Sequence, residues 1–371
     1  MKCNKKIVCA MLHTLFSLMG AATLLLPIAA HAAPGQTDIS VLPLTSSDAA
    51  QAKPNIMLLM DASSSMGWGH MPDEVEGKSI PDANYPSIKT RIGYRSASCN
   101  ALFYDPTKRY DIPAKADGTL FTAPSFSGAL RNPFDASSTA STNLSTSFKA
   151  YYTDSSSDTT VRAGGNDVAQ PAYYYVYRGS QVLKYNQAPC TDVLPDAPPA
   201  TPVGAWSGPA TGGGTWTKVI VGASSSPAGV DERQNFANWY SFYRTRMLLM
   251  KSSVSLAFTP ITSNYRVGFI TMEPKDSPSA SIINQSKFLP VADFDSTQRS
   301  AWFDKLFSQK PSGSSPAREG LARVGRYYAG RTDGINSGMG GGDPIQYSCQ
   351  QNFTIMTTDG YWNDQTETPS A

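Results

Sequence analysis

Most of the chain switches between apolar and polar residues every one or two positions, but Ile56-Met57-Leu58-Leu59-Met60 is apolar throughout. Such a run suits a strand buried on both faces, as in a parallel sheet. A second run, Asn352-Phe-Thr-Ile-Met-Thr357, has the same character. Tyr265-Arg-Val-Gly-Phe-Ile-Thr-Met272 reads as another strand, and Ser286-Lys-Phe-Leu-Pro290 as a short edge strand. Phe236, Trp239, Tyr240, Tyr243, Met247 and Met250 recur at steps of three and four, so one long core-facing helix is expected from Asp231 to Pro260. Asp231 and Glu232 suit its positive end, and Arg244 and Arg246 read as solvated charges. Thr297–Phe307 predicts a helix with Trp302, Leu306 and Phe307 inward. A last helix opens with Ser315 as N-cap and Pro316 in its first position, and stops at Gly330. Strands alternating with helices define an α/β fold built on a doubly wound, mostly parallel sheet.

Residues 68 to about 230 interrupt this alternation. They are dense in Pro, Gly, Ser, Thr and Tyr, as in Ala172-Tyr-Tyr-Tyr-Val-Tyr177 and Gly212-Gly-Gly214. A structureless loop of that length inside a domain is implausible, so the segment reads as an inserted subdomain with hairpins around Tyr173–Val182 and Thr215–Gly222. Its tyrosines suit either recognition on adaptable loops or the core of a small β subdomain. His70, beside Asp73 and Glu74, reads as a solvated loop residue.

The chemistry sits where apolar runs end. The first run stops at Asp61, and hydroxyls follow at alternate positions in Asp61-x-Ser63-x-Ser65. Ser314-Ser315-Pro316 opens a helix, and the last strand delivers Thr358-Asp359-Gly360. Each of the three loops lies at the mouth of an α/β element, where open sheets place ligands. One carboxylate with two hydroxyls is a hard oxygen set, suited to Mg²⁺, Mn²⁺ or Ca²⁺. Separately, Asp359-Gly360 could be a simple turn and Ser315 only a cap. Together they resemble the metal-ion-dependent adhesion site of a von Willebrand factor A (vWA) domain. That resemblance implies Asp61, Ser63 and Ser65 as direct ligands, Ser315 as a direct or water-mediated one, and Asp359 acting through water.

Three further motifs are similar to the PilC/PilY family of type IV pilus assembly and tip-adhesin proteins. They are Cys99-Asn-Ala-Leu-Phe-Tyr-Asp-Pro106, Arg233-Gln-Asn-Phe-Ala-Asn-Trp-Tyr-Ser-Phe-Tyr-Arg-Thr-Arg-Met247 and Thr358-Asp-Gly-Tyr-Trp-Asn363. The likeness runs from about Asn55 to Asn363. In that family the position of Ser315 usually carries Thr, inside Gly-Thr-Pro. The resemblance implies pilins or minor pilins as partners, a host or surface receptor that offers an acidic group, and a place at the pilus tip, outer surface or periplasm of a Gram-negative bacterium. It also implies a C-terminal β-propeller. The chain ends eleven residues after Gly360, so it reads as a fragment or truncated reading frame whose last βα units are missing.

Composition narrows the alternatives. The N-terminus is basic to Lys6 and largely apolar from Ile7 to Ile28, with Ala30-His31-Ala32 as a small-x-small cleavage pattern. This divides the chain into a signal peptide (1–32), a polar leader (33–54) and a vWA-like domain (55–371). A transmembrane anchor is the competing reading of the first stretch, and no later stretch is long and apolar enough to span a bilayer. Beyond the signal peptide, 28 basic residues face 29 acidic ones, which gives no electrostatic ground for nucleic-acid binding. Cys99, Cys190 and Cys349 then remain, enough for one disulfide and one odd thiol. Cys99–Cys190 would tie down the insert and is favoured, whereas Cys349 is either the odd buried thiol or a partner. An enzyme is not expected: there is one mature His, no P-loop, no paired-carboxylate cluster and no Gly-x-Ser-x-Gly elbow. The competing functions are an exported metal-dependent vWA adhesin unrelated to pili and a metal-dependent phosphoesterase.

Overall fold

The protein is seen here as a computed structural model, which describes residues 52–72, 75, 91–150, 152–154, 161–163, 169–193, 205–225, 229–277, 280–360 and 362–363. The expected signal peptide, nearly all of the polar leader, Asp73, Glu74 and Tyr361 lie outside the described residues. The longer strands are β1 (Asn55–Met60), β2 (Tyr173–Arg178), β3 (Trp206–Pro209), β4 (Thr215–Ile220), β5 (Arg266–Thr271), β6 (Phe288–Asp293) and β7 (Asn352–Thr357). The helices are α1 (Arg233–Phe242), α2 (Arg246–Phe258), α3 (Ser296–Ser308) and α4 (Ala317–Tyr328).

The main sheet runs β6-β5-β1-β7. β1 is parallel to both neighbours, with Asn55 opposite Arg266 on one side and Asn352 on the other. β6 is antiparallel to β5, so the sheet is mixed. Every residue of β1 and β5 is buried, which accounts for the lack of polar alternation in the first run. Successive side chains point to opposite faces. Ile56, Leu58 and Met60 meet Met247, Met250, Trp302 and Phe303 of α2 and α3. Met57 and Leu59 meet Val324 and Tyr327 of α4. Gly320 on α4 lets the helix approach Leu59, where an added Cβ would already be in tight contact. β7 is different. It lies at the edge, and Phe353, Ile355 and Met356 are exposed.

The long helix expected from Asp231 to Pro260 is two helices. Tyr243 leaves helical geometry, and Thr245, in extended backbone, caps α2 by accepting from the Leu248 amide at 3.2 Å. The apolar stripe runs through the break because both helices bury their sides, which is why periodicity missed it. Nor are the arginines at the break solvated. Arg244 is fully buried, with its guanidinium 4.3 Å from the Tyr240 ring centre and bonds to the carbonyls of Tyr240 and Arg131. Arg246 is buried too.

In the insert, β2 and β3 pair with β4 in a three-stranded antiparallel sheet. Tyr173, Tyr174 and Tyr175 are buried, in one cluster with Phe103, Tyr104, Phe148, Phe236 and Trp239. Of the two readings of these tyrosines, the core reading is the one observed. Cys99 and Cys190 form a disulfide across 91 residues, as favoured. Gly93 passes beneath it, so close that a Cβ would collide with the Cys190 carbonyl. Cys349 is a free and exposed thiol, not a buried one. His70 is also buried, stacked on Trp68 at 5.2 Å, so the solvated-loop reading fails.

Candidate oxygen-donor site at the sheet edge

β1 and β7 run parallel, so their C-terminal ends open on the same edge and release Asp61 and Thr358-Asp359 side by side. The Asp61 amide donates to the Thr357 carbonyl at 3.1 Å, and the Met272 amide donates to the Met60 carbonyl at 2.9 Å. Asp61 is fully buried. Its Oδ1 accepts from the Ser63 amide at 2.9 Å, closing the loop on itself. The Ser63 and Ser65 hydroxyls lie 3.1 Å apart.

The loop before α4 is stitched to this one through the backbone. Ser312 donates its amide to the Ala62 carbonyl at 2.7 Å, and Ser64 donates to the Gly313 carbonyl at 3.1 Å. Glu273 accepts from the Ser314 amide at 2.7 Å. Ser315 is buried, and its amide donates to Asn363 Oδ1 at 2.9 Å while its carbonyl accepts from the Asn363 amide at 3.0 Å. Ser315 is not the expected N-cap. The cap position falls on Pro316, and the Ser315 carbonyl accepts from the Ala317 amide at 2.9 Å. The structure thus brings Asp61, Ser63, Ser65, Ser315 and Asp359 to one edge, on three loops held by main-chain bonds.

Among the described residues, Asp61 Oδ2 and Asp359 Oδ1 are buried without a hydrogen-bond partner, although the Thr358 hydroxyl lies near enough to Asp61 to favour its charged form. Burial pushes the Asp61 carboxyl above its usual range, the Ser63 amide and hydroxyl pull it down, the charge of Asp359 pushes it up again, and the Thr358 hydroxyl pulls it down slightly. The other Asp359 oxygen, Oδ2, accepts from Arg246 Nη1 at 2.8 Å, and both side chains are only 1% exposed. Arg246 Nε donates to the His70 carbonyl at 2.8 Å, and its guanidinium lies 5.0 Å from the Trp68 ring centre. Removing one partner of such a pair leaves a buried charge uncompensated, at a cost of about 3–5 kcal/mol.

Sequence reading missed Arg246, Glu273 and Asn363. For Arg246 there was a signal: an arginine followed by Met-Leu-Leu-Met, inside a stripe of aromatic residues, has little room to be solvated. Glu273 and Asn363 act through backbone amides, which no spacing pattern marks. Among the described residues no three His, Cys, Asp or Glu side chains gather where they could hold a metal ion. A cation at this edge would therefore rest on two carboxylates, serine hydroxyls and water. A cleft of about 880 Å³ lies elsewhere, lined by Phe121, Phe134, Phe303 and Phe307 with Lys115 and Lys310.

The site belongs to an α/β protein whose oxygen donors sit on the C-terminal edge of a mixed sheet. No family model and no solved structure matches the chain. Curated proteins do. The chain is 29% identical over 330 residues to the type IV pilus biogenesis factor PilY1 of Pseudomonas aeruginosa strain PAO1, covering 84% of this chain and 24% of that protein. Against the protein of the same name from strain PAK it is 25% identical over 325 residues, with 84% and 24% covered. Against that from strain UCBPP-PA14 it is 29% identical over 330 residues, with 85% and 24% covered. The chain is thus similar, over most of its length, to pilus biogenesis factors named PilY1. It spans about a quarter of the length of the curated relatives it matches.

Proposed function

We propose that this chain is a type IV pilus biogenesis factor that also serves as an adhesin at the pilus tip or outer surface, binding partners through a vWA-like, divalent-cation-dependent site. The pilus role rests on the relatives, which bear the name of pilus biogenesis factors. The binding role rests on one observation: among the described residues, Asp61 Oδ2 and Asp359 Oδ1 are buried without hydrogen-bond partners, beside the paired hydroxyls of Ser63 and Ser65. Leaving buried carboxylate oxygens unpaired is costly, and a hard cation offsets that cost. Asp61, Ser63 and Ser65 would hold the ion, with Ser315 and Asp359 acting directly or through water. The cation would supply an electrophilic position that an acidic side chain of a pilin or receptor can complete. Export would carry the chain to the periplasm or cell surface, and the Cys99–Cys190 disulfide supports an oxidising compartment. No step of this reading requires catalysis.

Thermal unfolding with Mg²⁺, Mn²⁺, Ca²⁺ or chelator, beside Asp61→Asn, tests the site. A cation bound only by the folded state at a hundred times its Kd adds about 2.7 kcal/mol. Asp61→Asn is expected to abolish that gain. In chelator the same variant should be no less stable than wild type at neutral pH. The sign follows from the raised folded pKa of Asp61. Between the ordinary value of 3.8 and that raised value the folded state binds more protons than the unfolded one, so stability falls as pH rises through the window. Asparagine removes the loss. A cooperative transition that ignores every cation in the wild-type protein would refute the metal site while leaving the fold intact.

A further inference from the structure

The cation reading accounts for five side chains and leaves a charged one, Arg246, without a role. Arg246 is buried at the first position of α2, and its guanidinium is held from several directions. Nη1 reaches Asp359 Oδ2, Nε reaches the His70 carbonyl, and the plane lies near the Trp68 ring. The main chain fixes the same corner, because the Arg246 amide donates to the Trp68 carbonyl at 3.1 Å. A rigid planar fork can serve a carboxylate and a carbonyl together, which the single ammonium of a lysine does less well. Asp359 therefore meets a positive charge supplied by the protein itself, while its Oδ1 and the Oδ2 of Asp61 remain without partners.

We propose that Arg246 is a built-in counter-cation of this site, which holds Asp359 in place when no metal is bound and lowers the affinity for a divalent cation. The inference rests on the reading that the site binds such an ion. With Arg246 present, two carboxylates and one guanidinium leave one negative charge to attract the ion. Without it they leave two, and both Asp359 oxygens are available. Charges only a few ångströms apart in a buried setting interact strongly, so the difference is large in affinity terms. The arginine also changes what the loaded site attracts. It adds one positive charge to whatever the carboxylates and the dication carry, which favours an anionic group on the partner over a neutral one. The protein thereby keeps its three loops together in metal-poor surroundings and accepts the ion only where it is abundant.

The test is Mn²⁺ binding, followed by the electron paramagnetic resonance of the free ion, on the full chain and on Arg246→Gln and Arg246→Lys. Thermal unfolding is measured in parallel with chelator and with saturating Mn²⁺. Arg246→Gln is expected to bind Mn²⁺ at least tenfold more tightly than wild type. It should melt lower in chelator and regain more on adding Mn²⁺ than wild type gains. Arg246→Lys, which keeps the charge but loses the fork, should lie between. Equal or weaker Mn²⁺ binding by a folded Arg246→Gln protein overturns the proposal while the metal site stands. Absence of Mn²⁺ binding in both wild type and Arg246→Gln overturns the metal site and this proposal together. Should Arg246→Gln fold only when Mn²⁺ is present, the proposal is supported. Should it fail to fold at all, Arg246→Met, which fills similar space without the charge, decides, and an affinity unchanged from wild type overturns the proposal.

Discussion

Replacing Cys99 and Cys190 with serine is expected to destabilise the protein by about 4 kcal/mol. The bridge closes a loop of 91 residues, and in the chain-entropy account the loss grows slowly with loop length, from about 3 kcal/mol for 15 residues towards about 5 for 100. Both sulfurs lie in the aromatic cluster of the insert, so the serines would also bury hydroxyls among apolar neighbours. Urea unfolding of the double variant at constant cation concentration would show a lower midpoint. An increased slope would be consistent with a denatured state that the bridge no longer holds compact. A change below about 1 kcal/mol would mean that the insert is held by its side chains alone.

Trp239→Ala should cost about 3–5 kcal/mol, the range for emptying a large aromatic site. Trp239 is fully buried on α1, and its indole nitrogen donates to the Leu102 carbonyl at 3.0 Å. Its ring meets Phe103 at 5.0 Å, Phe236 at 5.0 Å and Tyr104 at 5.9 Å. The side chain therefore joins the insert to the helix that leads into the main sheet. Truncation leaves a cavity and an unpaired carbonyl at that junction. Limited proteolysis should then cut within 101–150 faster than in wild type, and near-UV circular dichroism should weaken. Equal protection in the two proteins would mean that the insert does not depend on this contact.

The sequence was most informative where burial is symmetrical. β1 matches the expected strand at Asn55–Met60, since a strand covered on both faces leaves an unbroken apolar run. The loops of the candidate site were legible for a different reason: Asp61 and Asp359 each end an apolar run, and Ser315 precedes a helix, so each carries an oxygen donor at the end of an element. The break between α1 and α2 was hidden, because Tyr243-Arg244-Thr245 looks helical in composition and only Thr245's cap geometry ends one helix and starts the next. Arg244 and Arg246 were misread because burial of a guanidinium depends on carbonyls and a carboxylate far away in the chain, such as Arg131 and Asp359. Cys349 suits a buried or a bridged place equally well in sequence, and it is the loop before β7 that leaves its thiol exposed. The weakly coded part was the insert, where identical tyrosines suit a surface or a core until their partners are known.

The pairing of β1 has a consequence for how the chain is made. Its partner residue on β5 is 211 positions away, and that on β7 is 297 away. Contacts so distant along the chain close slowly, and the apolar strand must wait for them. At synthesis rates of roughly 5–20 residues per second, β7 would follow β1 by about 15–60 seconds. Until β5 is made, about 10–40 seconds after β1 at those rates, Ile56–Met60 has no sheet to join, and it is a short, uncharged apolar segment of the kind that aggregates when left exposed. Biogenesis of this protein therefore calls for a holding chaperone or for delivery of the chain in an unfolded state, and yields of folded material should respond to how fast the chain is produced.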